Sequence, residues 1–227
     1  MDRQIDFKDF TRVRVEGALS INITRAETYS VKAFQDPSTN IKIEQSGDAL
    51  RIYRKFDWWL LGLRPRPHLD ITMPDLAELM ITGASQGEVR GFNNSRDLTL
   101  KLTGASHLKV SAIITNILRL DASGASNITG DINSEAGIFF KISGASRVEL
   151  TGKGYNASIE LSGASQARLA GLTLDNVEAS ISGASSAYIK VNNKLDFNLN
   201  GASRLEYAGH PTIGKMRVSG ASTLKQV

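Results

Sequence analysis

The tripeptide Gly-Ala-Ser occurs eight times in this chain, and its near-constant spacing constrains the fold more than any other feature. Successive glycines of the repeat are 21, 20, 20, 19, 20, 18 and 19 residues apart. A fixed period of about 20 residues is typical of a solenoid, in which each coil buries its apolar face against its neighbours. The repeated glycines and serines are Gly83 and Ser85, Gly104 and Ser106, Gly124 and Ser126, Gly144 and Ser146, Gly163 and Ser165, Gly183 and Ser185, Gly201 and Ser203, and Gly220 and Ser222.

Apolar residues recur at even distances from each glycine. Those two residues before it are Ile81, Leu102, Ala122, Ile142, Leu161, Ile181, Leu199 and Val218. Alternation with a period of two predicts β-strands with one apolar face. A coil of this length is too short for a strand-helix-strand unit, which needs roughly 30 residues. The sequence therefore predicts an all-β parallel β-helix of about eight to nine coils, each of roughly 20 residues.

The small residues of the repeat indicate a corner or a close approach of two backbones. If the strand alternation continues through the tripeptide, serine lies on the apolar side and alanine on the outer side. A bend at the glycine would instead turn the alanine inward. Each buried serine hydroxyl could form a hydrogen bond with the neighbouring coil, so burying it need not cost free energy.

The chain is expected to form a single β-solenoid domain over residues 1–227. Residues 76–227 contain the regular repeats, whereas residues 1–75 are the less regular N-terminal coils and cap. Residues 8–34 resemble a worn first coil, since terminal repeats of a solenoid are atypical. Residues 40–54 alternate on two arms around Ser-Gly-Asp, which predicts a β-hairpin.

The least regular segment is residues 55–67, which holds both tryptophans, Trp58 and Trp59. A loop that covers the open end of the coil is one interpretation, and an exposed aromatic patch that contacts a ligand or partner is the other. Residues 68–73 then resume a strand. Trp58 and Trp59 are the best single candidates for ligand contact.

The eight Gly-Ala-Ser coils follow an opening FKDFTRVRVEGALSINI and a strand that ends in Met73-Pro74-Asp75-Leu76. This combination resembles the head domain of putative auto-transporter adhesins, the bacterial head GIN domain family, over nearly the whole chain. The resemblance implies a right-handed β-helix and a protein that is exported or lipid-anchored at the bacterial surface. It carries over no catalytic residues.

Composition excludes several classes of site. The chain has no cysteine, which removes disulfides, thiol catalysis and thiolate metal sites. The formal charge is +4 and the charges are scattered, so a nucleic-acid partner is not expected. No apolar stretch is long enough to span a membrane, and Met1-Asp2-Arg3-Gln4 opens the chain without an apolar signal region. The three histidines, His68, His107 and His210, are far apart, and no metal or cofactor is expected.

A carbohydrate-active enzyme of the polysaccharide lyase or hydrolase type is the main alternative, because β-helices often carry such sites. It would need clustered carboxylates, and no outward column is expected to gather two acids. Stacking instead predicts surface ion pairs of Glu149 with Arg168 and of Glu206 with Lys225, each worth less than about 1 kcal/mol. A flat ice-binding face is disfavoured because the ladder before the glycines contains only two threonines.

The expected function is thus that of a non-enzymatic, adhesin-like binding or scaffold module, exported to the bacterial cell surface or periplasm. Its expected partner is an unidentified ligand such as a glycan or a surface protein. The open end of the last coil also predicts a homo-oligomer, because an unpaired strand edge can pair with another chain.

Overall fold

The computed structural model describes residues 3–5, 7–34, 41–54 and 66–227, and strands make up 71% of them with no helix present. It is a parallel β-solenoid with about 20 residues per turn, as the repeat predicts, and it has about 7 turns where the sequence predicts eight to nine coils. The part of the chain that the structure describes holds no helix that could span a membrane.

The first seven strands build the irregular N-terminal part, and the next two flank the first Gly-Ala-Ser. They are β1 (Arg3–Ile5), β2 (Arg12–Gly17), β3 (Ser20–Arg25), β4 (Ser30–Phe34), β5 (Ile41–Ser46), β6 (Ala49–Arg54), β7 (His68–Met73), β8 (Glu78–Gly83) and β9 (Gln86–Arg90).

The next nine strands form the regular coils. They are β10 (Leu98–Leu102), β11 (His107–Ala122), β12 (Asn127–Ile142), β13 (Arg147–Leu161), β14 (Gln166–Ile181), β15 (Ser186–Leu199), β16 (Arg204–Ala208), β17 (Thr212–Val218) and β18 (Thr223–Gln226). The five longest, β11 to β15, bend around the coil and pair in parallel with the strands above and below.

Two main ladders run along the solenoid. The pre-corner ladder contains the segments that lead into each Gly-Ala-Ser, and the post-corner ladder contains the segments that follow it. In the pre-corner ladder Leu100, Leu120, Phe140 and Ile159 stand in register on successive coils and are all buried. The apolar columns predicted from the even offsets are therefore the core of the molecule.

The N-terminal coils stack in a different order from their order in the chain. Strand β2 lies between β6 and β8, and β3 lies between β7 and β9. The prediction that residues 8–34 form the outermost coil of the stack is therefore wrong. Strands β6 and β7 form a further coil that lies beyond β2 and β3 at this end of the solenoid. The predicted hairpin is confirmed as the antiparallel pair β5–β6. Antiparallel β5 and β4 cover this edge of the stack, which leaves fewer parallel-strand edges unpaired.

Each Gly-Ala-Ser forms a corner that only glycine fits. All eight glycines have φ between +70° and +89°, a region that residues with a side chain rarely adopt. A Cβ atom on any of them would also lie closer than 3.0 Å to the glycine carbonyl oxygen of the preceding coil in the stack. The corner therefore combines a left-handed backbone with a close backbone approach.

The serines point into the core and the alanines point outward, which decides between the two alternatives for the tripeptide. Seven of the eight serines, from Ser85 to Ser203, are at most 1% exposed. The hydroxyl of Ser106 donates to the carbonyl oxygens of Thr103 at 3.0 Å and of Gly83, on the previous coil, at 3.2 Å. Ser165 and Ser185 join their hydroxyls at 3.2 Å. The predicted hydrogen bonds between coils are thus confirmed.

Candidate ligand-binding groove

The outward face of the pre-corner ladder carries a large aromatic side chain in an otherwise polar column. Five residues before successive glycines stand Arg119, Phe139, Ser158, Glu178 and Asp196, in register on adjacent coils. Strand alternation directs Phe140 into the core and leaves Phe139 49% exposed. Half of a phenylalanine ring is thus presented to solvent on a rigid strand.

A depression lies beside this ring because two neighbouring positions have little or no side chain. Gly137 shares the outward face with Phe139 two residues away, and Ser158 faces Phe139 on the next coil. The depression has a volume of about 350 Å³. We call it the Phe139 groove and define it by Gly137, Phe139, Asn156, Asn176, Glu178 and Asp196, with Lys194 at its edge.

Two asparagines form the polar floor of the Phe139 groove. Asn156 is in register with Gly137 on one side and with Asn176 on the other. The Asn176 Nδ2 donates to the Asn156 Oδ1 at 3.0 Å. A primary amide offers two donors and one acceptor oxygen, so this single bond leaves both side chains able to bond a ligand.

The charges of the groove largely neutralise one another. Lys194 Nζ lies 2.7 Å from Asp196 Oδ2, and the Lys215 backbone N–H donates to Asp196 Oδ1 at 2.6 Å. The hydrogen bond from Lys194, followed by that from Lys215, holds the pKa of Asp196 below its usual value. Arg119 lies over the Phe139 ring with its guanidinium carbon 5.4 Å from the ring centroid. Asp196 is thus balanced by Lys194, and Arg119 is paired with Asp97 at 3.5 Å, so Glu178 is the exposed charge that stands beside the amides.

The groove continues along the stack beyond Asp196. A second depression shares Glu178 and Asp196 and extends to Asn198, Lys215 and Arg217. Four coil-to-coil steps separate Phe139 from the coil that contains Lys215, which corresponds to about 19 Å at the usual strand spacing. The two depressions therefore adjoin each other along the stack and share the wall formed by Glu178 and Asp196.

Glu178 and Asp196 are carboxylates on adjacent coils, so the expectation that no column gathers two acids is wrong. That expectation rested on the column five residues after the glycine, whereas this pair lies five before it. A glycosidase needs one carboxyl whose pKa is raised by an apolar site to act as an acid. Asp196 has the opposite shift, and Glu178 is exposed in the open groove. The arrangement suits binding better than acid-base catalysis.

Two predicted ion pairs are also replaced by others. Register does place Glu149 beside Arg168 and Glu206 beside Lys225. However, Glu149 pairs with Arg147 at 3.2 Å and Glu206 with Arg204 at 3.5 Å, within the same strand. Residues i and i+2 of a strand share one face, so a long arginine reaches its neighbour along the strand.

His68 takes part in a polar cluster that sequence reasoning did not find. Its Nδ1 lies 3.2 Å from Ser20 Oγ, and its Nε2 lies 3.0 Å from Asp70 Oδ1. The signal was available only from the register, because β3 and β7 are separated by more than 40 residues but pair directly. Although Ser, His and Asp are linked, the backbone of β3 pairs with strands on both sides. Its N–H groups therefore lie in the sheet and do not form an oxyanion hole.

Among the described residues, the remaining candidates are separate from the groove. Trp58 and Trp59 lie outside the described residues. His107 stands on the post-corner ladder, and His210 lies near the last coil. Within residues 7–34, 41–54 and 66–227, no group of three or more His, Cys, Asp or Glu side chains could hold a metal ion.

Comparisons with known proteins agree with the fold. A family model described as "Putative auto-transporter adhesin, head GIN domain" matches residues 9–211. None of the curated proteins compared with the chain matches it.

Three solved structures share the fold over the whole chain. A putative adhesin from Parabacteroides distasonis has a TM-score of 0.83 at 16% identity, and a putative lipid binding protein from the same organism has 0.79 at 14%. A putative adhesin from Bacteroides fragilis has a TM-score of 0.69 at 14% identity. Each alignment covers 100% of this chain and 96% of the other. At these identities the likeness concerns the fold.

Proposed function

Because the chain belongs to the family of putative auto-transporter adhesins with a head GIN domain, we propose that it is a non-enzymatic, adhesin-like binding module, exported to the bacterial cell surface or periplasm. The observation that carries the binding role is the Phe139 groove, where an exposed aromatic ring stands beside two amides and an exposed carboxylate. A concave site with an apolar wall and a few convergent polar groups is the usual form of a ligand site.

The solenoid supports this role physically. Every strand of the groove is hydrogen-bonded on both sides, since β12, β13 and β14 pair with neighbours above and below. Side chains on such strands keep their spacing without a ligand. Binding to a pre-formed site costs less ordering entropy than binding to loops.

The binding role is tested by immobilising the full chain and measuring capture of intact cells, extracellular-matrix proteins, mucin-type glycoproteins and lipid vesicles. Vesicles are included because one structural neighbour is named as lipid binding. We expect saturable capture of at least one surface that is reduced when Phe139 is replaced by Ala. Equal, non-saturable retention on every surface would contradict a binding role.

The enzymatic alternative makes a different prediction. A lyase would release unsaturated products, and a hydrolase would release new reducing ends, during incubation with polysaccharides. We expect neither, because the pKa of Asp196 is lowered and Glu178 is solvent-exposed. Turnover that is lost in Glu178→Gln would replace the binding proposal with an enzymatic one.

A second proposed contact is the pair Trp58 and Trp59. If the loop binds ligand, replacing both tryptophans by Ala abolishes capture and leaves urea unfolding of the chain unchanged. Loss of cooperative unfolding in the same double variant would instead assign them to a cap.

A further inference from the structure

We infer that the Phe139 groove binds a neutral oligosaccharide whose chain lies parallel to the solenoid axis. This inference rests on the proposed binding function and names the class of ligand for the same groove. It follows from four features of the groove: an exposed ring, paired amides, an exposed carboxylate beside those amides and an elongated outline.

The exposed ring suits the apolar face of a pyranose. The C–H groups on one face of a hexose ring pack against an aromatic surface, while the hydroxyl groups extend sideways from the edge of the sugar. Phe139 is 49% exposed and stands on a strand that is paired on both sides, so about half of its side chain is presented to solvent at a fixed position. Arg119 lies 5.4 Å from the ring centroid and helps to hold its orientation.

The polar groups beside the ring suit hydroxyl groups. A hydroxyl both donates and accepts, so it pairs with an amide or a carboxylate equally well. Asn156 and Asn176 supply amides on adjacent coils, and Glu178 supplies an exposed carboxylate on the coil of Asn176. These planar groups can bond two neighbouring hydroxyls of one sugar at the same time.

The charge pattern argues for a neutral ligand. Asp196 is already paired with Lys194 at 2.7 Å, and Arg119 is stacked on the Phe139 ring. Glu178 is the remaining charge beside the amides, and it would repel a uronate, a sulfate or a phosphate. Sialylated or sulfated glycans, nucleic acids and anionic lipids are therefore disfavoured beside Phe139 and the two amides, whereas Lys215 and Arg217 lie in the second depression.

The shape argues for a chain of sugars. The two adjoining depressions together extend about 19 Å from Phe139 to the coil of Lys215 at the usual strand spacing, so a chain of several sugar units can lie along them. A peptide is disfavoured because β12 to β15 are paired on both sides over the groove, so none of their edges is free to add a strand. Affinity is consequently expected to rise with oligosaccharide length and then level off.

The experiment is calorimetric titration of the full chain with neutral hexose and N-acetylhexosamine oligosaccharides of two to six units. Uronate-containing and sulfated oligosaccharides of equal length serve as the charged comparison. We expect at least one neutral series to bind, with affinity that increases with length. Phe139→Ala is expected to weaken binding by at least tenfold, and Asn156→Ala by about fivefold, which corresponds to about one hydrogen bond.

The matched control is Phe34→Ala, because Phe34 is a similarly exposed phenylalanine, at 45%, on strand β4 of the N-terminal cap. We expect this variant to bind like the unchanged chain. If no neutral series binds, or if only charged oligosaccharides bind, the inference is overturned. It is also overturned if Phe139→Ala and Phe34→Ala bind equally.

A failure of the inferred ligand class is distinguishable from a failure of the proposed binding function. If the immobilised chain captures cells or matrix saturably while every neutral oligosaccharide fails, the ligand class is wrong and the binding role stands. If the chain captures nothing and binds no oligosaccharide, both are wrong.

Discussion

Replacing Gly144 by Ala tests the reasoning about the repeated corner, because both the backbone angle and the neighbouring atoms are known. Gly144 has φ +73°, and an added Cβ would lie closer than 3.0 Å to the Gly124 carbonyl oxygen. The left-handed backbone alone costs alanine roughly 1–2 kcal/mol. Moving the two coils apart would also weaken the bonds that this oxygen accepts from Ala145 N at 2.7 Å and Ser146 Oγ at 3.4 Å, each worth about 1 kcal/mol. The sum predicts a loss of about 3–4 kcal/mol.

The variant Gly47→Ala separates the cost of the left-handed backbone from the cost of the close backbone approach. Gly47 also has a positive φ, +58°, but an added Cβ there would meet no atom within 4 Å. We expect this control to lose only the conformational part, roughly 1–2 kcal/mol. The assay is urea unfolding followed by far-ultraviolet circular dichroism, with free energies compared at a common slope. The reasoning is refuted if Gly144→Ala is no less stable than Gly47→Ala, since the close backbone approach would then contribute nothing.

Three further predictions concern the serines, the cap and the exposed strand β17. Ser165→Ala and Ser185→Ala should each cost about 1 kcal/mol, and the double variant should cost less than their sum because the two hydroxyls bond each other at 3.2 Å; additive losses in urea unfolding would contradict this. The hydrogen bond from Arg12 lowers the pKa of Asp48 in the folded chain. The ionised Asp48 carboxylate therefore stabilises the fold above its unfolded pKa of about 3.9, and this stabilisation is lost as the pH falls through its lower pKa in the folded chain. Asp48→Asn should therefore flatten the fall in melting temperature between about pH 4 and pH 2, and an unchanged slope would argue against the link. We also propose that the chain forms a homo-oligomer through the edge at β17, where Met216 is 61% exposed; sedimentation should show Met216→Lys as a smaller species, and a monomeric unchanged chain would contradict the proposal.

Much of the fold was predictable because the spacing of the repeat shows which residues of successive coils lie in register. The even offsets of the apolar residues are enough to place Leu100, Leu120 and Phe140 in one buried column, since strands alternate strictly. The hairpin at β5–β6 was equally accessible from its alternation and its glycine turn. In these regions local pattern and long-range pairing agree.

The stacking order of the N-terminal coils was not predictable in the same way. The local sequence of β6 and β7 does not indicate that these strands pair with the outer side of β2 and β3, at the end of the stack. Their order along the chain would instead place them between β3 and β8. Long-range pairing decides which strands are neighbours in the stack. The single weak repeat in residues 8–34 does not contain that information. The cluster around His68 was missed for the same reason, because Ser20 and His68 are neighbours only through that pairing.

The groove was only partly accessible from the sequence. The alternation that buries Phe140 also exposes Phe139, so an outward aromatic could have been found by extending the column analysis to the position five before each glycine. The depression itself depends on Gly137, and on the bulge in the β12–β13 pairing between Asn133 and Gly137 that sets which residues meet across coils. Such irregularities shift register by a residue, and spacing alone does not locate them.

The most direct test of an exported adhesin-like module is protease shaving of intact source cells, followed by detection with an antibody to this chain. The proposal predicts that protease removes the chain from intact cells while a cytosolic marker protein stays protected. If the chain is protected in intact and in outer-layer-permeabilised cells alike, and fractionates with the cytosolic marker, the surface and periplasmic proposals are both contradicted.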